Sequence, residues 1–175
     1  LLSVVERSTP PSCLPIDLFI GMPRPHTAKR ILFEAACLGV ERMHFFQSDN
    51  TEPSYIRSRL WQDDNYKKRL LLGAEQSFNT HLPEVFLHTN LQEALFKINS
   101  ASGNQINIAL DNYEAENSLG AILKKSVSNK TIKMPHVFLA LGSERGWSSS
   151  ERALLVNNEW KLGHLGDRVL RLEMA

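Results

Sequence analysis

The chain has 175 residues and a mass of 19.8 kDa, with 42% hydrophobic and 22% charged residues. That composition suits one compact globular domain with a substantial core and excludes a disordered chain. The formal charge of +1 and a pI near 8.0 do not mark a polyanion binder, since such binding needs a local basic surface rather than a basic total.

No apolar run is long enough to span a bilayer, and no charged-apolar-small leader opens the sequence, so a cytoplasmic protein without a membrane partner is expected. The two cysteines, Cys13 and Cys37, lack CxxC spacing and fit a reducing compartment.

Residues 1–15, with Pro10, Pro11 and Pro15, read as a linker or the remnant of an upstream domain, leaving 16–175 as the folded unit. Ile16 to Gly21 reads as the first strand. Pro23 and Pro25 interrupt it, and His26 to Leu38 then carries Ala28, Ile31, Leu32, Ala35, Ala36 and Leu38 at helical spacing, ended by Gly39. A strand at Met43 to Gln47 completes a right-handed βαβ crossover. In the polar stretch from Ser54 to Phe78, Leu70, Ala74 and Phe78 fall four apart and predict a helix with one buried stripe. Val85 to Leu87 predicts a short strand, Leu91 to Ile98 a helix, Ile106 to Leu110 a buried strand, and Leu119 to Lys124 a short helix. Lys124, Lys125, Lys130 and Lys133 form one basic surface, and Arg57, Arg59, Lys67, Lys68 and Arg69 another; either suits RNA, although most such groups are simply solvated.

The most informative stretch is His136 to Trp147. Val137 to Leu141 is an unbroken apolar run, Gly142 and Gly146 bracket a polar loop, and Ser148 with Glu151 makes a capping-box start for a helix. Open α/β sheets collect ligands just beyond the carboxyl ends of their strands, where this loop would lie. Leu162 to Ala175 adds Gly163 and Gly166, then an apolar segment carrying Arg168, Arg171 and Glu173; four of the nine glycines thus fall within 25 residues.

Several chemistries lack their motifs. There is no GxxxxGK[ST] for nucleotide hydrolysis and no GxGxxG after a strand for hydride transfer. The six histidines show neither HExxH nor a cysteine partner, so no metal is expected, and His164 in its loop reads as a packing residue. Ser143 lacks the flanking glycines of a hydrolase elbow, since Leu141 and Arg145 occupy those places.

LGSERGWSSSE at 141–151 followed by LGDRVLRLEMA at 165–175 resembles the paired signatures of the RsmE family, the 16S ribosomal RNA uracil-N3 methyltransferases of the SPOUT superfamily, whose wording is close to GPEGGFSxxE and then LGxRILRxETA. Gly142, Glu144, Gly146, Ser148, Glu151, Leu165, Gly166, Arg168, Leu170, Arg171, Glu173 and Ala175 agree. Ser143, Arg145, Trp147, Leu172 and Met174 depart, and CLGV at 37–40 keeps three residues of the family's ELGV. The resemblance implies an α/β SPOUT domain of about five mostly parallel strands, helices on both faces and a C-terminal trefoil knot. It implies S-adenosylmethionine held by Leu141, Gly142, Ser143, Glu144, Gly146, Leu165, Gly166, Val169 and Leu170. Arg171, Glu173 and Glu144 are the catalytic candidates, ribosomal RNA or the small ribosomal subunit the substrate, and a homodimer the assembly, with Leu170, Leu172 and Met174 available for contact. Glu75, Gln76 and Ser77 match another family phrase; Glu75 and Gln76 read either as solvated helix positions or, as the resemblance implies, as site-facing residues. Relatives carry a β-barrel RNA-binding domain ahead of this one and continue into a helix after it, so a shortened C-terminal end is expected. The departures leave one competing class, a catalytically weak domain that only binds RNA or cofactor.

Overall fold

A computed structural model describes residues 12–96, 105–127 and 135–175. Seven strands form one sheet in the order β3-β2-β1-β6-β4-β7-β5, and every pairing is parallel. They are β1 (Leu14–Gly21), β2 (Val40–Phe46), β3 (Glu84–His88), β4 (Gln105–Leu110), β5 (Asn117–Ser118), β6 (His136–Leu141) and β7 (Lys161–His164). The helices are α1 (Pro25–Leu38), α2 (Lys67–Gln76), α3 (Leu91–Phe96), α4 (Leu119–Val127) and α5 (Ser149–Asn157).

The expected α/β class and parallel sheet are what the chain adopts, with two more strands than expected. β5 has two residues and β7 reads KLGH, too short and too polar to announce a buried strand. β1 starts at Leu14, inside the expected linker, because Leu14 pairs with Val40; β2 likewise starts at Val40 rather than Met43.

Alternation along β1, β2 and β6 sends neighbouring side chains to opposite faces. Ile20, Met43 and Phe45 face α1 and α2, together with Ala28, Ile31, Leu32, Ala35 and Ala36 of α1 and Leu70 of α2. Ile122 of α4 packs on the same side against Ile106 and Ile108. Phe19, Phe46, Phe138 and Ala140 face the other way, onto Leu91 and Leu95 of α3, Leu155 of α5 and Trp160. Pro25 opens α1 and Gly39 closes it at φ +73, its N–H donating to the carbonyls of Ala35 and Ala36. α2 lies so close to α1 that a Cβ on Gly73 would sit 2.3 Å from the Phe33 carbonyl oxygen.

The α2 stripe needs correction. The helix stops at Gln76; Phe78 has φ +55 and is 94% exposed, so its fourfold spacing from Leu70 and Ala74 was accidental. Ile98 of the expected helix, and Lys130 and Lys133 of the first basic surface, lie outside the described residues.

Near the amino ends of β1 and β6, the buried Asp17 carboxylate accepts from Arg42 Nε at 3.0 Å and lies 3.0 Å from His136 Nε2 and 3.9 Å from His44 Nε2. Burial alone would raise its pKa, but His44, Arg42 and His136 together outweigh that and hold it below the ordinary carboxylate range. Asp17, Glu41 and His136 have ligand atoms within 4.8 Å of one another, yet the Arg42 guanidinium already neutralises Asp17.

Candidate functional site

Beyond the carboxyl ends of β4 and β6 opens a cavity of about 730 Å³, where the loop after β6, the exit of β4, the start of α1 and residues 165–175 meet. Its size lies within the usual range of small-molecule sites.

The loop after β6 builds one wall. The Gly146 N–H donates to the Ser143 carbonyl at 2.8 Å, closing a turn, and the Ser143 hydroxyl accepts from the Arg145 N–H at 3.3 Å. Gly146 has φ +74, which glycine adopts without strain, and a Cβ on Gly142 would meet the Gly146 carbonyl carbon at 2.9 Å. The turn therefore folds back on itself as tightly as backbone allows. A Cβ on Gly21, at the end of β1, would lie 2.6 Å from the Ser143 nitrogen, so the turn also rests directly on the neighbouring strand.

Behind the turn, Trp147 is buried; its indole N–H donates to the Leu110 carbonyl at 2.8 Å and its ring stacks on Phe46. This ties the exits of β4 and β6 together. The capping box forms as expected: the Ser148 hydroxyl accepts from the Glu151 N–H at 3.1 Å and Glu151 Oε2 accepts from the Ser148 N–H at 2.9 Å. The other Glu151 oxygen accepts from the Asp49 N–H, and Asp49 in turn accepts from the Ser148 and Ser150 hydroxyls at 2.6 and 2.7 Å. Those hydroxyl donors, outweighing a small burial effect, lower the Asp49 pKa.

Eight residues expected at the cofactor, namely Leu141, Gly142, Ser143, Glu144, Gly146, Leu165, Val169 and Leu170, line this one cavity, as do Arg171 and Glu173. Gly166 does not line it, but at φ +117 it allows the bend that brings 167–171 back, and the His164 imidazole accepts from its N–H at 3.1 Å. That contact gives His164 a turn-forming role. The carboxylates do not pair with Arg168 or Arg171: Glu144 Oε1 accepts from the Arg24 backbone N–H at 3.0 Å, and Glu173 pairs with Arg30 at 3.1 Å. Arg171 faces the cavity, exposed and without a carboxylate partner among the described residues.

Sequence reasoning missed half of the wall. Arg24, His26, Thr27 and Arg30 come from the start of α1, and Asp111, Tyr113 and Arg152 from the exit of β4 and from α5. The first of these stretches carried a signal in the prolines that stop β1 and launch α1 at the sheet's carboxyl edge. Glu75 and Gln76 are corrected in the other direction. Both are exposed on α2, outside the cavity, so the phrase they share with the family is a helix surface here. Among the described residues no helix is long and apolar enough to cross a membrane.

The RNA methyltransferase domain family matches residues 10–175. A relative from Borreliella burgdorferi, ribosomal RNA small subunit methyltransferase E 1, is 30% identical over 158 residues, covering 90% of this chain and 62% of the relative. The ribosomal RNA small subunit methyltransferase E of Treponema pallidum is 30% identical over 180 residues, covering 100% of this chain and 64% of the relative. The chain thus spans less than two thirds of the length of these relatives. A crystal structure of the methyltransferase of that name from Neisseria gonorrhoeae, bound to S-adenosyl methionine, superposes with a TM-score of 0.73 at 19% identity, covering 98% of this chain and 65% of that one.

Proposed function

This chain belongs to the RNA methyltransferase domain family, and on that premise we propose that it transfers a methyl group from S-adenosylmethionine to N3 of a uridine in small-subunit ribosomal RNA. The observation that carries the reading is the gathering of the loop after β6 and residues 165–173 around one cavity at the carboxyl edge of the sheet. Both relatives' names agree with a methyltransferase of small-subunit ribosomal RNA.

The cavity suits this cofactor. Leu110 and Leu141 supply apolar surface, and Gly146 leaves open space where a Cβ would stand, so a ligand can approach the backbone. Asp111, Glu144 and Glu173 stand on the wall with Arg24, Arg30, Arg145, Arg152 and Arg171, so groups of both signs line a site for a ligand that carries sulfonium, ammonium and carboxylate charge. When bound, S-adenosylmethionine supplies an electrophilic methyl carbon.

The chain's own groups must then make uridine N3 a nucleophile. That nitrogen carries a proton near neutral pH, so the proton has to leave while the ring is held in line. Arg171, exposed on the wall and unpaired, is placed to stabilise negative charge on the uracil oxygens. Glu173, held by Arg30, and Glu144, held by the Arg24 N–H, are the groups to receive the proton or orient the base. Single-stranded bases are read when splayed from their stack, which fits a wide cavity rimmed by Arg24, Arg30 and Arg145.

Two further parts of the reading concern assembly. Val169 and Met174 are 79% and 66% exposed, an apolar surface that a two-fold partner would cover. A C-terminal trefoil knot belongs to the same reading, and the return of residues 165–175 to α1 through the Arg30–Glu173 pair is compatible with it. The two free cysteines agree with a cytoplasmic setting.

Calorimetry tests the cofactor: one S-adenosylmethionine per chain is expected, and no heat at millimolar ligand would overturn it. Arg171→Ala is expected to lower methyl transfer by about 100-fold with cofactor affinity preserved; undiminished turnover would remove Arg171 from the mechanism.

A further inference from the structure

We propose that Tyr113 is a stacking platform for a base of the RNA substrate, held in place from behind by Arg152 and Asp111; this rests on reading the cavity as a methyl-transfer site. Tyr113 lines the cavity at the exit of β4 and is 81% exposed, an unusual position for a large aromatic ring.

The turn that carries the ring is nonetheless anchored. Asp111 is buried, and its Oδ1 accepts from the backbone N–H groups of Tyr113 at 2.6 Å and Glu114 at 3.0 Å, which sets the turn presenting the ring. Asp111 Oδ2 accepts from Arg152 Nε, and the Asp111 N–H donates to the Gly163 carbonyl at 2.9 Å, so the turn is anchored to α5 and β7 as well. The Arg152 Cζ lies 5.8 Å from the Tyr113 ring centre, a cation–π distance. Arg152 is largely buried and its charge is met by Asp111, with Glu114 at 3.6 Å. It therefore supports the ring instead of reaching for a phosphate.

An exposed aromatic on an anchored turn with a guanidinium beside it is a form in which proteins stack unpaired bases. Any base has a face to stack, so the platform adds affinity and orientation without choosing the target's identity.

The experiment measures fluorescence anisotropy of a labelled single-stranded oligouridine with the chain saturated by S-adenosylhomocysteine. It compares the wild type with Tyr113→Ala and Tyr113→Phe and is accompanied by calorimetry of S-adenosylhomocysteine binding. Tyr113→Ala is expected to weaken oligouridine binding by about tenfold or more, Tyr113→Phe to retain it within about twofold because the ring face is unchanged, and cofactor-product affinity to be equal in all three. Equal RNA binding by Tyr113→Ala overturns the proposal. So does a parallel loss of cofactor-product affinity, which would put the ring against the cofactor, and so does a wild type that binds no oligouridine. None of these readouts requires turnover, so failure here is distinct from failure of methyl transfer, which labelled cofactor and ribosomal RNA test separately.

Discussion

Replacing Gly21 by Ala perturbs the cavity without altering any residue that lines it. The added methyl would meet the Ser143 nitrogen at 2.6 Å, the Gly142 carbonyl carbon at 3.0 Å and the Ser143 Cα at 3.2 Å, all backbone atoms that cannot swing aside. Restoring an ordinary contact of 3.4 Å requires the turn after β6 to recede by about 0.8 Å from β1. Overpacking of this kind costs about 1–3 kcal/mol, or roughly 2–12 °C in Tm for a chain of this size. A turn displaced by that amount no longer matches a ligand docked against it, so cofactor affinity should fall by about tenfold, equivalent to ~1.4 kcal/mol. Gly120→Ala is the control: a Cβ there meets nothing within 4 Å, and the residue lies in α4. It lies in the first turn, so it should change stability by less than about 0.5 kcal/mol and leave the cofactor alone. Thermal unfolding and calorimetry on the two variants check this. A Gly21→Ala chain as stable as the wild type, with unchanged affinity, would refute the claim that β1 buttresses the turn.

Gly73→Ala should destabilise by about 2–3 kcal/mol without changing cofactor affinity at saturating stability, since its Cβ would strike the Phe33 carbonyl oxygen at 2.3 Å between α1 and α2; denaturant titration reads the loss. Asp17 has a depressed pKa, so its contribution is fully present above the unfolded value of ~3.9 and is lost as pH falls through the lower folded value. Asp17→Asn should therefore lower Tm clearly at pH near 5, and the gap to the wild type should shrink towards pH 3; a gap that widens on acidification would contradict the sign. Met174→Glu should dissociate the expected dimer in light scattering, given its 66% exposure, whereas a wild type already monomeric at micromolar concentration would remove the dimer from the account.

The parts of this fold that were legible in the sequence are those whose pattern is local. The apolar run at 137–141, the helical spacing of Ala28 to Ala36 and the Ser148–Glu151 box each specify an element without help from elsewhere. β7 was not legible, because Gly163 is selected by the Ile122 and Ile108 side chains 2.9 and 3.3 Å from where its Cβ would stand, a contact that no window of sequence displays. Phe78 misled for the complementary reason: periodicity continued for one step after the helix had ended. At the site, the two signature stretches converge on one cavity as their resemblance implied, but Asp111, Tyr113 and Arg152 come from separate elements and meet only through folding. Glu144 and Glu173 show a further limit. Their nearest arginine in sequence is not their partner, since α1 supplies both the Arg24 N–H and the Arg30 guanidinium.

Methyl transfer to a ribosomal uridine is read out by a single experiment. Small ribosomal subunits and naked small-subunit RNA lacking the modification are incubated with the protein and S-adenosylmethionine labelled on its methyl group, and the labelled nucleotide is located by nuclease digestion and mass spectrometry. The account predicts label on N3 of a single uridine. Label on another nucleotide would keep the transferase and discard the substrate, and no label on either RNA form, with cofactor binding proven by calorimetry, would contradict the account.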